Sequence, residues 1–313
     1  MFPLQLFFSS FMILGTFLML FSPNYVSIWV GLELNFFGFL PLMADMKETQ
    51  TLEASMKYFL VQAFGSSIFL TGLFLLTYSN FMNTNFNFPH TLMILAISVK
   101  LGIAPFYFWL PSVMSGLSWK NCILLNTFQK FGPMLLFTHL FSWNSFILMM
   151  IITTSLIGGM MGMSQTQVRS ILAYSSLVHM SWILSLGFYS LCYMLLYMFI
   201  YFILSSLVFM HSAKKNSIRI SSTTPKKLSL LASLLSLGGM PPFTGFSMKL
   251  LGLQILISEA SIMLTSMLVL SSLLSLYFYL NLLFSWMSQT SLSTEILTKT
   301  ESVMIITMSF GLT

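Results

Sequence analysis

The sequence predicts an all-α, polytopic transmembrane helical bundle, and three observations predict it. First, 57% of the 313 residues are hydrophobic and only 6% are charged, with a mean hydropathy of +0.89. That is more apolar surface than a soluble chain of this length can bury. Second, the apolar residues fall into runs of about 20, the length that crosses a bilayer as a helix. Third, no polar stretch is long enough to form a soluble domain, so residues 1–313 are expected to make a single transmembrane domain.

Taken in order, the runs lie near residues 2–21, 25–44, 55–78, 91–110, 121–141, 146–163, 170–188, 190–211, 228–257 and 260–287. About ten spans are expected. A short apolar segment, Ser302 to Leu312, closes the chain. As a helix it would be only about 16 Å long, short of a full crossing. The opening MFPLQLFFSS has neither a basic n-region nor an Arg-rich amphipathic pattern. The first run is therefore expected to remain as a helix rather than act as a signal or transit peptide.

The fourth run, TLMILAISVKLGIAPFYFWLP, organises the rest. It carries Lys100 near its middle and Pro105 five residues on. A lysine at bilayer depth costs about 2.5–3.5 kcal/mol on insertion scales. Proline removes a backbone donor and clashes with the carbonyl four residues back, here that of Leu101, so a break is expected at Pro105. Such a break survives in hydrocarbon only where protein or water satisfies the freed groups. A charge beside a broken helix points to a wet, protein-lined path.

The ninth run carries the second expected break, GGMPPFTGF, in which Gly238, Gly239, Pro241 and Pro242 fall within five residues. Lys249 follows about two turns later. The two lysine-bearing broken spans are the fourth and the ninth. That arrangement resembles two related halves of opposite topology, an antiporter-like inverted-repeat architecture.

The remaining charges order the topology. Lys47, Lys120, Arg169, Lys214, Lys215, Arg219, Lys226, Lys227 and Lys299 occupy alternate links, and Lys57 lies just beyond one of them. The links near Pro23, Asn80–Pro89, Ser142–Ser145 and Tyr189 hold no Lys or Arg. The positive-inside rule then puts the N-terminus and the basic links on the cytoplasmic or matrix face.

Glu33, Lys100, Lys130 and Lys249 stay inside spans. Glu33, in WVGLELNFFG, lies about 14 Å from the start of its span, and Lys100 and Lys130 come out at similar depth in theirs. An ion pair between Glu33 and Lys100 is expected, either within a charged pathway or as a pair that only orients helices. Lys130, in LLNTFQKFGPM, stands beside Gln129 with Pro133 three residues on and no acid nearby. It suits a proton carrier; snorkelling is the alternative for Lys130 and Lys249 alike. His179 lies deep in its span with Ser175 and Ser176 one turn away, which suits a relay or an interhelical hydrogen bond. Tyr174 is expected to line the same polar region. His139 and His211, near span ends, and His90, in a link, read as structural.

Cys122 and Cys192 are solitary and read as small buried hydrophobes. The sequence has no CxxC, no His–Cys cluster and no glycine-rich phosphate loop. No metal, haem, iron–sulfur or nucleotide site is expected in this chain.

Three stretches in order, SVKLGIAPFYFWLP, QTQVRSILAYSSLVHMSW and GGMPPFTGFSMK, together with WVGLELN, closely resemble the antiporter-like membrane-arm subunits of respiratory complex I. The resemblance covers nearly the whole chain. It implies a core subunit of an H⁺-translocating NADH:ubiquinone oxidoreductase, an enzyme subunit that carries no redox catalysis itself. By that resemblance Glu33 pairs with Lys100, Lys130 is the central relay, and Lys249 serves the link toward a neighbour or the outer side. NADH, FMN, iron–sulfur clusters and ubiquinone would be used elsewhere in the complex. The implied partners are other membrane-arm subunits (4 and 4L as neighbours), accessory subunits and phospholipids, with no nucleic acid. The implied location is the mitochondrial inner membrane with the N-terminus on the matrix side, and ten spans plus a tail fit the shortened animal form. The alternatives are a stand-alone or Mrp-type cation/proton antiporter, a purely structural subunit, and a solute transporter, for which no polar pocket is evident.

Overall fold

Thirteen α-helices and no strand are found among the described residues of the computed structural model, which are 2–44, 48–82, 88–213, 227–259 and 261–288. The C-terminal segment Ser302 to Leu312 and the basic links at Lys47, Lys214 to Lys226 and Lys299 lie outside them. Six of the helices are long and apolar enough to cross a membrane: Tyr25–Met43, Thr49–Ser79, Ser145–Met163, Val168–Gly187, Leu191–Ala213 and Ile262–Phe284. The chain divides into two compact units, Met1–Asn144 and Ser145–Thr313.

The first unit contains α1 (Phe2–Phe21), α2 (Tyr25–Met43), α3 (Thr49–Phe81), α4 (Phe88–Leu101), α5 (Trp109–Gly116), α6 (Trp119–Asn126) and α7 (Phe128–Leu140). In hydrocarbon, helices associate through close packing of small residues rather than through hydrophobic exclusion. α1 and α2 follow this rule. A Cβ on Gly15 would meet the Asn35 amide nitrogen at 2.5 Å, and one on Gly31 would meet that of Met19 at 2.7 Å. The two backbones therefore touch, which fixes the rotation of the helix bearing Glu33 and Asn35. Between α3 and α4, Gly65 leaves room for the Lys100 stem, whose Cγ would lie 3.1 Å from an added Cβ.

The fourth run is broken over residues 102–108, a stretch that includes Pro105. Gly102, at φ +74°, ends α4 before Pro105 is reached. Its N–H donates to the Val99 carbonyl at 3.2 Å and that of Ile103 to the Ser98 carbonyl at 3.0 Å, the paired bonds of a Schellman cap. Pro105 lies in the linker beyond, so its ring does not act from within a helix. The fifth run, expected as one unbroken span, is also interrupted. Thr127 separates α6 from α7 at φ −110°, ψ −76°, and its hydroxyl donates to the Ile123 carbonyl at 2.8 Å. Pro133, by contrast, sits inside α7. His90 lies in the first turn of α4 rather than in a link.

The second unit contains α8 (Ser145–Met163), α9 (Val168–Gly187), α10 (Leu191–Ala213), α11 (Lys227–Gly238), α12 (Thr244–Glu259) and α13 (Ile262–Ser288). The break between α11 and α12 falls where the glycines and prolines cluster. Gly239, at φ +78°, repeats the Schellman pattern, with its N–H donating to Ser236 at 3.1 Å and Met240 N–H to Leu235 at 3.2 Å. α9 is buried along nearly its whole length, and Ser175, Ser176, Ser181 and Ser185 each donate to a carbonyl one turn back. Their polarity is thus satisfied within the helix. Cys122 is buried, with its thiol donating to the Met114 carbonyl at 3.6 Å. Cys192 is exposed, against expectation: at the second position of α10 it falls on the face that also shows Leu191, Leu195 and Phe199. Helical rotation, not local apolarity, decides which side chains of an all-apolar run are covered.

Candidate functional site

In the first unit the break in α4 frees backbone carbonyls that protein groups take up. The Trp109 indole N–H donates to Val99 O at 3.0 Å, and the Gln62 amide donates to Lys100 O at 3.2 Å. Lys100 sits in the last turn of α4, where the helix dipole favours a cation. Its ammonium donates to a Glu33 carboxylate oxygen of α2 at 3.2 Å. The lysine side chain is 3% exposed and the glutamate 14%. Breaking such a pair at one partner strands a buried charge, at a cost of about 3–5 kcal/mol.

Lys130, in the first turn of α7, is 3% exposed and its ammonium donates to Asn126 Oδ1 at 2.9 Å. Burial sets the snorkelling alternative aside for this residue. Lys100 and Lys130 both line one cavity of about 20 Å³, together with Asn35, Tyr58, Gln62 and Gln129. A polar space of about this size holds a single water. The Tyr58 hydroxyl donates to Gln129 Oε1 at 3.0 Å, and Gln129 Nε2 donates to Asn35 Oδ1 at 3.0 Å. The Tyr58 ring is itself gripped edge-on by Phe39 and tilted against Trp109. An acid, two amines and a hydrogen-bonding wall are thus gathered from α2, α3, α4, α6 and α7.

In the second unit Lys249 is 7% exposed and so does not snorkel either. Its ammonium donates to the Gly238 carbonyl at 2.9 Å, placing a cation at the C-terminal end of α11 where the dipole is negative. The stem lies against Gly239, where an added Cβ would meet Lys249 Cδ and Nζ at 3.0 Å. His179 Nδ1 is 3.1 Å from the Tyr197 hydroxyl, and its ring stacks on Tyr201. These groups line a smaller cavity of about 10 Å³ with Ser236, Gly245 and Met248. Tyr174 is buried in α9 but does not line that cavity, and neither does Lys249. His139 and His211 occupy the last turns of α7 and α10.

Asn35, Tyr58, Gln62 and Asn126 are not marked as site residues by the sequence, where Gln129 stands out only as a neighbour of Lys130. For Gly102 a signal existed: glycine followed three residues later by proline is how a capped helix ends. For the amides none did, because Gln129 and Asn35 are 94 positions apart and meet only through helix rotation. Among the described residues no trio of His, Cys, Asp and Glu could hold a metal ion.

Two lysine-associated helix breaks and a buried Glu–Lys pair define an antiporter-like membrane protein. The NADH:quinone oxidoreductase/Mrp antiporter transmembrane family matches residues 22–275. The chain is 38% identical over 288 residues to the NADH-ubiquinone oxidoreductase chain 2 of Lumbricus terrestris, covering 89% of this chain and 85% of that one. To the chain 2 of Anopheles gambiae it is 39% identical over 284 residues, covering 88% and 83%. The fold is similar to one in respiratory complex I from Thermus thermophilus (TM-score 0.79, 21% identity, 95% of this chain and 74% of that one). It is also similar to one in the Mrp complex from Dietzia (TM-score 0.78, 19% identity, 87% and 58%). The chain belongs to the NADH:quinone oxidoreductase/Mrp antiporter family and, within it, to the NADH-ubiquinone oxidoreductase chain 2 proteins.

Proposed function

We propose that this chain is the chain 2 subunit of an H⁺-translocating NADH:ubiquinone oxidoreductase, and that protons cross the membrane arm through Glu33, Lys100, Lys130 and Lys249. The observation that carries this reading is the Glu33–Lys100 ion pair at 3.2 Å, whose lysine lines a cavity that Lys130 also lines. Intramembrane ionisable groups usually mark such pathways. Electron chemistry belongs to other subunits, where NADH, FMN, iron–sulfur clusters and ubiquinone act. Quinone reduction there drives changes along the membrane arm. When the Glu33–Lys100 pair opens, the uncompensated Lys100 charge repels the proton held on Lys130. When the pair closes, Lys130 reloads. Lys249, held on the carbonyl that its helix break releases, passes protons toward a neighbour or the outer face, with His179 as a second relay.

The same reading treats residues 1–313 as one antiporter-like domain of ten spans, with α4 and α5, α6 and α7, and α11 and α12 each making one interrupted crossing. The matching glycine caps at Gly102 and Gly239 support an inverted repeat. The N-terminus lies on the matrix side of a mitochondrial inner membrane. On this topology the α9–α10 turn and the end of α12 share the opposite face. In keeping with that, burial and the Glu259 charge push the Tyr189 phenol above its ordinary value. Membrane-arm subunits 4 and 4L, accessory subunits and phospholipids cover the apolar faces.

Replacing Lys130 with Met tests the proposal. The complex should assemble and oxidise NADH while the protons moved per electron fall. A normal proton yield from the assembled Lys130→Met complex would overturn it.

A further inference from the structure

Gln129 has no part in the path just described. A carboxamide donates and accepts hydrogen bonds but has no titrating proton. Yet both ends of this half-buried amide are held by buried partners: Tyr58 of α3 donates to its Oε1, and its Nε2 donates to Asn35 of α2, each at 3.0 Å. Tyr58 is 2% exposed and Asn35 3%, so loss of either bond leaves a buried polar group facing the shared cavity.

The position of this amide gives the two bonds their meaning. Gln129 immediately precedes Lys130, and Asn35 lies two residues after Glu33. The chain Tyr58–Gln129–Asn35 therefore ties the turn bearing the second lysine to the helix bearing the acid. The amide also lines the cavity that Lys100 and Lys130 share. Gln129 stands two residues past the discontinuity at Thr127. The turn keeps backbone bonds at this point, Lys130 N–H and Phe131 N–H donating to the Thr127 carbonyl at 3.3 and 3.1 Å, and the side-chain bonds of Gln129 add a restraint toward α2 and α3.

We propose that Gln129 is a latch that positions Lys130 against the Glu33–Lys100 pair and keeps the shared cavity too small for continuous water. Clamped, it holds the two lysines apart and blocks back-flow. Released, by loss of the Tyr58 and Asn35 bonds, it lets the α7 turn move and the cavity hydrate, and a proton then passes between Lys100 and Lys130. Gln129 is a positioning residue, and its role rests on the reading of Lys130 as a proton carrier.

The test uses the whole complex reconstituted into liposomes, with proton yield normalised to electron transfer and passive proton leak measured without substrate. Gln129→Met keeps length and bulk but makes neither bond. Its leak per assembled complex should rise about tenfold, the scale set by losing buried hydrogen bonds, and its proton yield should fall. Tyr58→Phe removes one bond and should give a smaller leak. Adding it to Gln129→Met should change little further, since both act on one element. A merely structural role would lower the amount of assembled complex and leave the leak of each particle at the parental value; that result overturns the latch. Should Gln129→Met not assemble, the leak of Tyr58→Phe decides, and a parental value again overturns the proposal. Lys130→Met, measured in parallel, separates the two ideas. If it pumps normally, the carrier reading fails. If it alone loses yield while Gln129→Met matches the parent in leak and yield, the latch fails and the carrier stands.

Discussion

A buried charge dictates its own partner, and this is why the Glu33–Lys100 pair of the first unit is readable from residues alone. Lys100 in hydrocarbon requires an opposite charge or a dense set of acceptors, and Glu33 is the one acid deep in a span. The structure brings them to 3.2 Å. A pair that only orients helices and a pair that moves protons differ in what a charge swap does. Glu33→Gln leaves Lys100 buried without its counter-charge, a change worth about 3–5 kcal/mol for such pairs, and should reduce both assembly and proton yield. Combining Glu33→Lys with Lys100→Glu restores a pair of opposite charges and should recover assembly. The proton yield should stay several-fold below the parent, because the cavity shared with Lys130 would then present a carboxylate where the ammonium acts. A swapped complex that pumps at the parental yield would make the pair structural. The amide network carried no comparable signal. Asn35, Tyr58, Gln62 and Gln129 are each unremarkable in an apolar run, and only the rotations of three packed helices bring them to one cavity.

At the level of elements, the helix breaks show how far local composition reaches. Four glycines and prolines in five residues announced the break after α11, and it is there. In the fourth run Pro105 lies within the break, but Gly102 ends α4 with a Schellman cap; in the sequence a single glycine is less conspicuous than the proline. The gap at Thr127 was not legible, because threonine occurs in many unbroken helices and its bond to Ile123 appears only in three dimensions. These caps have measurable consequences. Gly102 and Gly239 hold φ values of +74° and +78°, which cost an L-residue about 1–2 kcal/mol. Gly102→Ala and Gly239→Ala should each lower the thermal midpoint for loss of the assembled complex by a few degrees. Gly239→Ala should also cut proton yield, since its Cβ would meet the Lys249 stem at 3.0 Å. Gly245→Ala should be the most damaging, because its Cβ would collide with the Ser236 backbone carbonyl. Equal midpoints for all three variants and the parent would show that these glycines do not fix the breaks.

For the whole molecule, composition and charge placement speak to environment and orientation. Large apolar side chains such as Phe17, Phe74, Phe199 and Leu273 face outward, more apolar exposure than a free soluble particle tolerates. Extracted gently, the chain should therefore migrate in a particle far larger than its own 35.5 kDa and carry inhibitor-sensitive NADH:ubiquinone activity with it. Migration as a small particle with cation-dependent proton exchange would instead favour a free-standing antiporter. Orientation has its own test. The proposed topology has the α8–α9 link, beside Arg169, on the matrix face and the α9–α10 turn on the other. On that topology Cys192, exposed at the start of α10, would report the second face. Ser164→Cys, in a Cys192→Ser background, probes the first at an exposed hydroxyl. A membrane-impermeant thiol reagent should label Cys192 in right-side-out membranes and the cysteine at position 164 in inverted ones. Labelling of both positions from one face would require an odd number of additional crossings, or one fewer, between residues 164 and 192. Labelling of each from the face opposite to that expected would invert the molecule while preserving its parity, and would place the N-terminus outside the matrix.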